Sequence, residues 1–427
     1  LGWSCVGVRG FIPSAAFLEM LTRGVLAIAA DIRSHTHVGY TPAPDIVHET
    51  AGHAPIIADA NYANFLKTNG QVGFRAIASA EDTAMFEAIR NLSVVKEDPE
   101  ATPDDVVHAE ARLEAASKSV RYVSEAMRAG RFAWWTTEYG LVGSIDRPKI
   151  YGAGLLSSIS EAEYCLTDEV RKIPLSIDCT SVSYDITKMQ PQVFVAKDFA
   201  QLSDVLNEFR RTLAHVRGGD YGIDEALRSR AVNHVVLEES GENHIEVTGE
   251  VREIVRVGKE TGPGLTAALI EMSGPTMISN GLVCSERPKR INAVILIGSH
   301  ALPGRGRFSV QLSSGVEASG YVVEGHEVVD FRVWMHGKPI HVPSWAYVAF
   351  AKSIPSVAAG PADTAKWDEV FGSLESFTAG TEEVMARRRK ADALPADLAK
   401  LYVEVRKMRE AGCVDRPRLK QIIDEST

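Results

Sequence analysis

The stretch Pro44-Asp45-Ile46-Val47-His48-Glu49-Thr50-Ala51-Gly52-His53-Ala54-Pro55 sets two histidines five residues apart, with an acid beside the first. Neutral imidazole is the commonest protein ligand for iron, zinc and copper. Two unrelated core histidines are the plain alternative. A third ligand decides between them. Glu138 stands in Trp134-Trp135-Thr136-Thr137-Glu138-Tyr139-Gly140-Leu141, and a carboxylate is rarely buried among such residues unless a charge holds it. Two histidines and one carboxylate make the facial triad of non-haem Fe(II) sites, which leaves coordination positions open.

On a straight α-helix five residues turn through about 500°, so the rings of His48 and His53 would diverge by roughly 140°. The zinc-protease pattern H-E-x-x-H sets its histidines four apart on one face. Thr50-Ala51-Gly52 between Glu49 and His53 does not fit it. Gly52 and Pro55 predict that the helix ends or bends at the second histidine, bringing both rings to one metal.

Three motifs occur in order: His48-Glu49-x-x-Gly52-His53-x-Pro55, then Trp134-x-Thr136-x-Glu138-Tyr139-Gly140-Leu141, then Tyr151-Gly152-Ala153-Gly154-Leu155-Leu156-Ser157-Ser158. Together they resemble the catalytic domain of the pterin-dependent aromatic amino acid hydroxylases, phenylalanine 4-monooxygenase-like and of a long bacterial type, over roughly residues 1–215. The resemblance implies Fe(II) on His48, His53 and Glu138. It implies a tetrahydropterin held by Gly10, Ile12, Phe17 and Glu49, with Glu49 also catalytic. It implies an aromatic amino acid bound by Arg33, Thr41, Pro42, Trp134, Tyr139, Gly154 and Ser157. Arg33 suits the amino acid carboxylate, because a guanidinium fork matches it bidentately. Indole and phenol rings suit an aromatic substrate. Glu161 is expected to orient a histidine ligand through its other nitrogen. The chain departs from the family at Ala27, where a histidine is frequent, and at Ala133, where a tyrosine is frequent.

A chain of 427 residues accommodates two or three domains. The net charge of −10 argues against general nucleic-acid binding. Cys5, Cys165, Cys179, Cys284 and Cys413 are scattered without C-x-x-C, so a reducing cytoplasm is expected. No apolar run is long enough for a membrane span, and no signal peptide is recognised. The chain opens at Leu1 without methionine, which points to missing N-terminal sequence.

The expected fold is multidomain α+β: a mainly helical catalytic domain over 1–220, an all-β domain over 231–350 and a helical C-terminal segment over 362–427. In the first, strand character over 3–12 gives way to a helix from Ala15 to Ile32, capped by Ser14. His35 and His37 lie in a loop without a carboxylate partner. A helix is read from 44 to 52, others over 61–69 and 80–95, and Thr102-Pro103-Asp104-Asp105 starts a long amphipathic one running to Gly130. Pro174–Asp178 and Gln192–Ala196 read as a strand pair and Phe199–His215 as a closing helix. Short β-rich runs between glycine turns mark the second domain. Residues 355–365 read as a linker, Arg387-Arg388-Arg389-Lys390 as a solvated helix face, and Leu398, Leu401, Val405 and Met408 as an apolar stripe. The helical segments are the expected faces for a homo-oligomer.

The function expected is ring hydroxylation of a free aromatic L-amino acid, phenylalanine first, using Fe(II), O2 and tetrahydropterin. No nucleic acid or membrane partner is expected. The rivals are a zinc-dependent hydrolase with Glu49 as base, active without O2, and a non-catalytic binding protein with a structural, closed metal site.

Overall fold

The computed structural model describes residues 2–8, 12–30, 32–33, 44–97, 100–186, 188–239, 244–258, 266–279, 289–298, 300–359 and most of 400–426. Strands β1 (Ser4–Val8) and β2 (Val25–Ala29) pair in parallel around α1 (Ser14–Thr22). The helix expected from Ala15 to Ile32 therefore stops at Thr22. Gly24 takes φ +70°, a region open to glycine but strained for other residues. The β-prone run after it returns as a strand, with Ala27 buried on β2. Ser14 is the first residue of α1 and makes no cap, because Pro13 holds the N-cap position.

Beyond the histidines come α2 (Ala54–Ile56), α3 (Ala60–Arg75), α4 (Ala80–Glu97), α5 (Pro103–Ser119) and α6 (Glu125–Ala133). Asp59 caps α3 by accepting from the N–H groups of Asn61 and Tyr62. Thr102 and Asp105 form the reciprocal capping box at the start of α5. The single helix expected as far as Gly130 is two. Val120 is extended, and Ser124 accepts from the Met127 N–H to start α6. The apolar spacing runs on through this break, so periodicity alone bridged it.

A four-stranded sheet follows in the order β4-β3-β6-β5, from β3 (Leu141–Ser144), β4 (Arg147–Ile150), β5 (Arg171–Pro174) and β6 (Gln192–Ala196). The strand expected at 174–178 lies earlier. Ser176 accepts from the Asp178 N–H and opens a 3-10 turn over Ile177–Ser181. Helices α7 (Ala153–Leu156) and α8 (Ile159–Tyr164) stand between β4 and β5. After β6 come α9 (Phe199–Arg210), α10 (Ala214–Arg217) and α11 (Gly219–Ser229). The expected closing helix is thus broken after Arg210. Tyr62, Phe65, Phe132, Trp135, Tyr151 and Phe209 are fully buried at the centre of this half.

The second half is one sheet of eleven strands among the described residues. They are β7 (Val232–Glu238), β8 (His244–Val257), β9 (Thr266–Ser279), β10 (Lys289–Arg290), β11 (Ala293–Ile297), β12 (Gly306–Gln311), β13 (Val316–Glu324), β14 (Glu327–Met335), β15 (Lys338–Ile340), β16 (Trp345–Ala351) and β17 (Ser353–Ala358). The main path runs β12-β13-β14-β16-β11-β9-β8-β7-β17, and its one parallel pairing is β11 with β16. The sheet continues to Ala358, so the first residues of the expected 355–365 linker are strand. Near the end of the chain Arg416–Ser426 is helical and Arg418 pairs with Glu404. The Arg387–Lys390 run and Leu398 lie outside the described residues.

Helices α10 and α11 pack on β17 and join the halves. At the joint Glu125, 2% exposed, accepts from the N–H groups of Ile77 (3.1 Å) and Ala214 (2.7 Å). Burial pushes its carboxyl up to about 7, against those two bonds. Glu125→Ala orphans both donors and is expected to cost roughly 1–3 kcal/mol for each, read as a lower urea midpoint. An unchanged midpoint would contradict this account of the joint.

Candidate metal centre

Both histidines lie on one widened turn. The helix beginning at Ile46 passes into π-helix over His48–His53, where the Ala54 N–H reaches back five residues to the Glu49 carbonyl. Residues five apart come nearly into phase in this geometry, which recurs at functional sites. The rings that an α-helix would splay stand with centroids 5.0 Å apart and planes at 80°. The expected end or bend at His53 is absent, since the chain continues helically through Ala54–Ile56. Glu138 ends a second π-helical turn, Trp134–Glu138, closed by the Tyr139 N–H on the Trp134 carbonyl at 2.9 Å.

Glycines bring these turns together. A Cβ on Gly52 would lie 2.8 Å from the Ala153 carbonyl oxygen, and one on Gly152 only 2.4 Å from that of Glu138. Gly154 faces the Tyr139 ring in the same way, at 3.0 Å. All three glycines thus let the backbone approach protein closely, seating α7 against both ligand-bearing turns. Gly152→Ala must push Glu138 away. We expect a stability loss of about 1–3 kcal/mol, typical of overpacking, with metal affinity lost beyond it, read by calorimetric unfolding beside metal titration. Intact metal affinity would contradict this.

The three ligand groups converge. Nε2 of His48 is 3.3 Å from Glu138 Oε2, and Nε2 of His53 is 3.2 Å from Oε1. Among the described residues this is the only group of three or more His, Cys, Asp or Glu with the spacing to hold a metal ion. Burial opposes ionisation of Glu138, but the charges of His53 and His48 and their hydrogen bonds outweigh it and hold the carboxyl far below its ordinary range. His53 is pushed up, because Glu138 and Glu49 overcome its burial. Burial raises Glu49 in spite of both histidines. A divalent metal would take the place of the imidazole protons as the positive charge beside Glu138 and Glu49, and imidazole with carboxylate is a donor set for first-row transition ions.

His48 is set for ligation by Ser157. The Ser157 hydroxyl donates to the Ala153 carbonyl at 2.8 Å, so it accepts from Nδ1–H of His48 at 3.0 Å and leaves Nε2 with its lone pair. Sequence reasoning gave this orienting role to Glu161 and a substrate contact to Ser157. Glu161 instead takes the Tyr139 hydroxyl and the Gln190 N–H; burial, opposed by both bonds, raises it to about 7.

Arg33 was expected to offer its fork to a carboxylate. That edge is already filled: Nε and Nη2 donate to Asp45 Oδ2 and Oδ1 at 2.8 and 2.7 Å, and both side chains are 5% exposed. Nη1 donates to the Ser157 carbonyl at 2.6 Å. One N–H remains on each of Nη1 and Nη2, because a guanidinium carries five. Asp45 also accepts the His48 N–H at 2.9 Å, tying Arg33 to the ligand turn. Nothing in the sequence around Asp45 marks it for this role.

Trp134 lies between two phenols, stacked on Tyr139 at 4.5 Å and on Tyr184 at 4.2 Å. Its edge is therefore what remains for a substrate ring. Tyr184 was not among the expected site residues, and nothing in Val182-Ser183-Tyr184 marks it. Phe17 is half-buried against the core and Ile12 half-buried just before α1. Gly10, Thr41, Pro42, His35 and His37 lie outside the described residues. Among the buried polar atoms of this half that have no partner are Glu49 Oε2, the Tyr62 hydroxyl, Trp134 Nε1 and Glu161 Oε1. Such atoms are costly unless something fills the site.

The sequence profile of the biopterin-dependent aromatic amino acid hydroxylases matches residues 1–93 and 116–222, and this half of the chain belongs to that family. The unmatched piece between them covers the end of α4 and most of α5. Bovine phenylalanine-4-hydroxylase is 30% identical over 216 residues, 49% of this chain and 38% of that protein. The Pseudomonas aeruginosa phenylalanine-4-hydroxylase is 27% identical over 215 residues, 50% of this chain and 65% of that protein. The chain thus spans well under half of the animal relative. The crystal structure of Chromobacterium violaceum phenylalanine hydroxylase bound to cobalt is 26% identical, with a TM-score of 0.35, covering 50% of this chain and 63% of that one. Among the described residues no helix is long and apolar enough to cross a membrane.

Proposed function

We propose that the chain is a monooxygenase that hydroxylates the ring of a free aromatic L-amino acid, with Fe(II), O2 and tetrahydropterin. The observation that carries this reading is the His48, His53 and Glu138 triad, on two π-helical turns inside the family-matching half. These three residues would hold the iron. Iron with a reduced pterin supplies the activation of O2 that ring attack requires.

The chain's own part is orientation and exclusion of water. The remaining N–H groups of Arg33 take the amino acid carboxylate, and Asp45 keeps the guanidinium from rotating. The Trp134 edge and Tyr139 form the wall of the ring pocket, with Gly154 seating Tyr139. Ser157 keeps His48 in its ligating tautomer. Glu49, its Oε2 unpartnered, would serve the pterin, which Gly10, Ile12 and Phe17 would help to hold. Thr41 and Pro42 would add to the substrate contacts. Phenylalanine is the first substrate to test, being what the matched relatives are named for.

The test is anaerobic loading with Fe(II), followed by O2, a tetrahydropterin and each aromatic amino acid in turn, read by mass spectrometry. A product heavier by one oxygen supports the reading and names the substrate. Absence of O2 uptake with every amino acid would overturn it.

A further inference from the structure

Three rings form a face-to-face column beginning beside Glu138. Tyr139, the next residue, stacks on Trp134 with planes 26° apart, and Trp134 stacks on Tyr184 with planes 7° apart. The inner ring is 5% exposed and the outer one 38%. Tyrosine and tryptophan lose single electrons more readily than other aromatic side chains, and rings in contact pass an electron faster than a radical attacks its neighbours. Packing alone is served by any aromatic ring. A phenol at the solvent end is what an exit requires, since it releases its proton to water as it loses the electron. Cys165 and Cys179 are buried elsewhere and Cys5 lies on β1, so none of these thiols stands in the column.

We propose that Tyr139, Trp134 and Tyr184 form an electron route that quenches oxidant formed at the triad when no amino acid consumes it. This rests on the metal reading of the triad and not on the identity of the substrate. The oxidant, generated from Fe(II) and hydrogen peroxide, takes one electron from the column and one proton from water. Tyr184 refills the column with one electron and gives its phenolic proton to solvent. Its phenoxyl radical then takes a hydrogen atom from a small thiol, and two of the resulting thiyl radicals couple to a disulfide.

The test uses the full chain loaded with Fe(II), its iron content measured first, then treated with hydrogen peroxide without pterin or amino acid. Freeze-quench electron paramagnetic resonance and peptide mapping are the readouts. A tyrosyl signal is expected, falling several-fold in Tyr184→Phe, with oxidation shifting inward to Trp134, His48 and His53. Tyr139→Phe is expected to lower the Tyr184 signal several-fold per iron bound, with thermal stability falling only by the loss of the hydroxyl's bond to Glu161. The proposal is overturned if Tyr184→Phe leaves the radical yield and the pattern of oxidised residues unchanged, or if iron-free protein gives the same signal. Iron content near zero before peroxide defeats the metal reading and this route with it, whereas absence of amino acid hydroxylation leaves the route standing.

Discussion

Glu138→Gln is expected to leave the chain folded and to weaken Fe(II) binding by more than about 100-fold, beyond what loss of an outer-shell partner costs. The side chain keeps its volume, so the π-helical turn and the packing of α7 beneath it have no reason to rearrange. What disappears is the negative charge between His48 and His53. An amide oxygen is a weaker ligand, and the two imidazoles alone make an incomplete triad. Ser157→Ala is the graded comparison: it removes only the acceptor for His48 Nδ1–H, with an expected loss of about 10–100-fold. Anaerobic Fe(II) titration beside urea unfolding separates the two effects. Unaltered affinity in Glu138→Gln would mean that the metal sits elsewhere.

The second large effect is expected from Asp45→Asn. Arg33 and Asp45 form a buried pair with three further hydrogen bonds around it: the Arg33 and His48 N–H groups on Asp45, and the Ser157 carbonyl on Arg33 Nη1. Removing one charge from such a pair leaves the other uncompensated, at about 3–5 kcal/mol. The low end is expected, because Asn keeps one acceptor. The effect depends on pH in a definite direction. Burial opposes the charge on Asp45, but bonds from Arg33 and His48 outweigh it and lower its folded pKa. The stabilisation from that shift is therefore complete above the unfolded value of about 4 and is lost as pH falls through the lower folded value. The gap in unfolding free energy between parent and Asp45→Asn should narrow on acidification below about pH 4. A gap that widens there would refute the assignment.

The ligands were legible because chemistry fixed them: two imidazoles and a carboxylate out of place among aromatic residues, in motifs with a family order. Their local geometry was not. A spacing of five is out of phase on an α-helix, and no residue preference announces a π-helical turn; Gly52 was read as a terminator when it serves a close approach to Ala153. Contacts between distant segments were hidden in the same way. Asp45 with Arg33, Ser157 with His48 and Tyr184 with Trp134 are made by tertiary packing, and each residue alone looks like a cap, a loop hydroxyl or a surface ring. The β-rich texture after residue 231 was plain from its short alternating runs. The end of α1 was not, because the apolar positions of Val25, Ala29 and Ile32 fit a helix as well as a strand until Gly24 is seen to turn the chain.

The most direct test of the central claim is an oxygen-18 experiment. The Fe(II)-loaded chain, a tetrahydropterin and phenylalanine are supplied with labelled O2 in ordinary water, and the amino acid is recovered for mass spectrometry. The account predicts one labelled oxygen on the ring and none in product from Glu138→Gln. Ring oxygen drawn from water, or chemistry that proceeds equally without O2, would contradict it and return the site to the hydrolases.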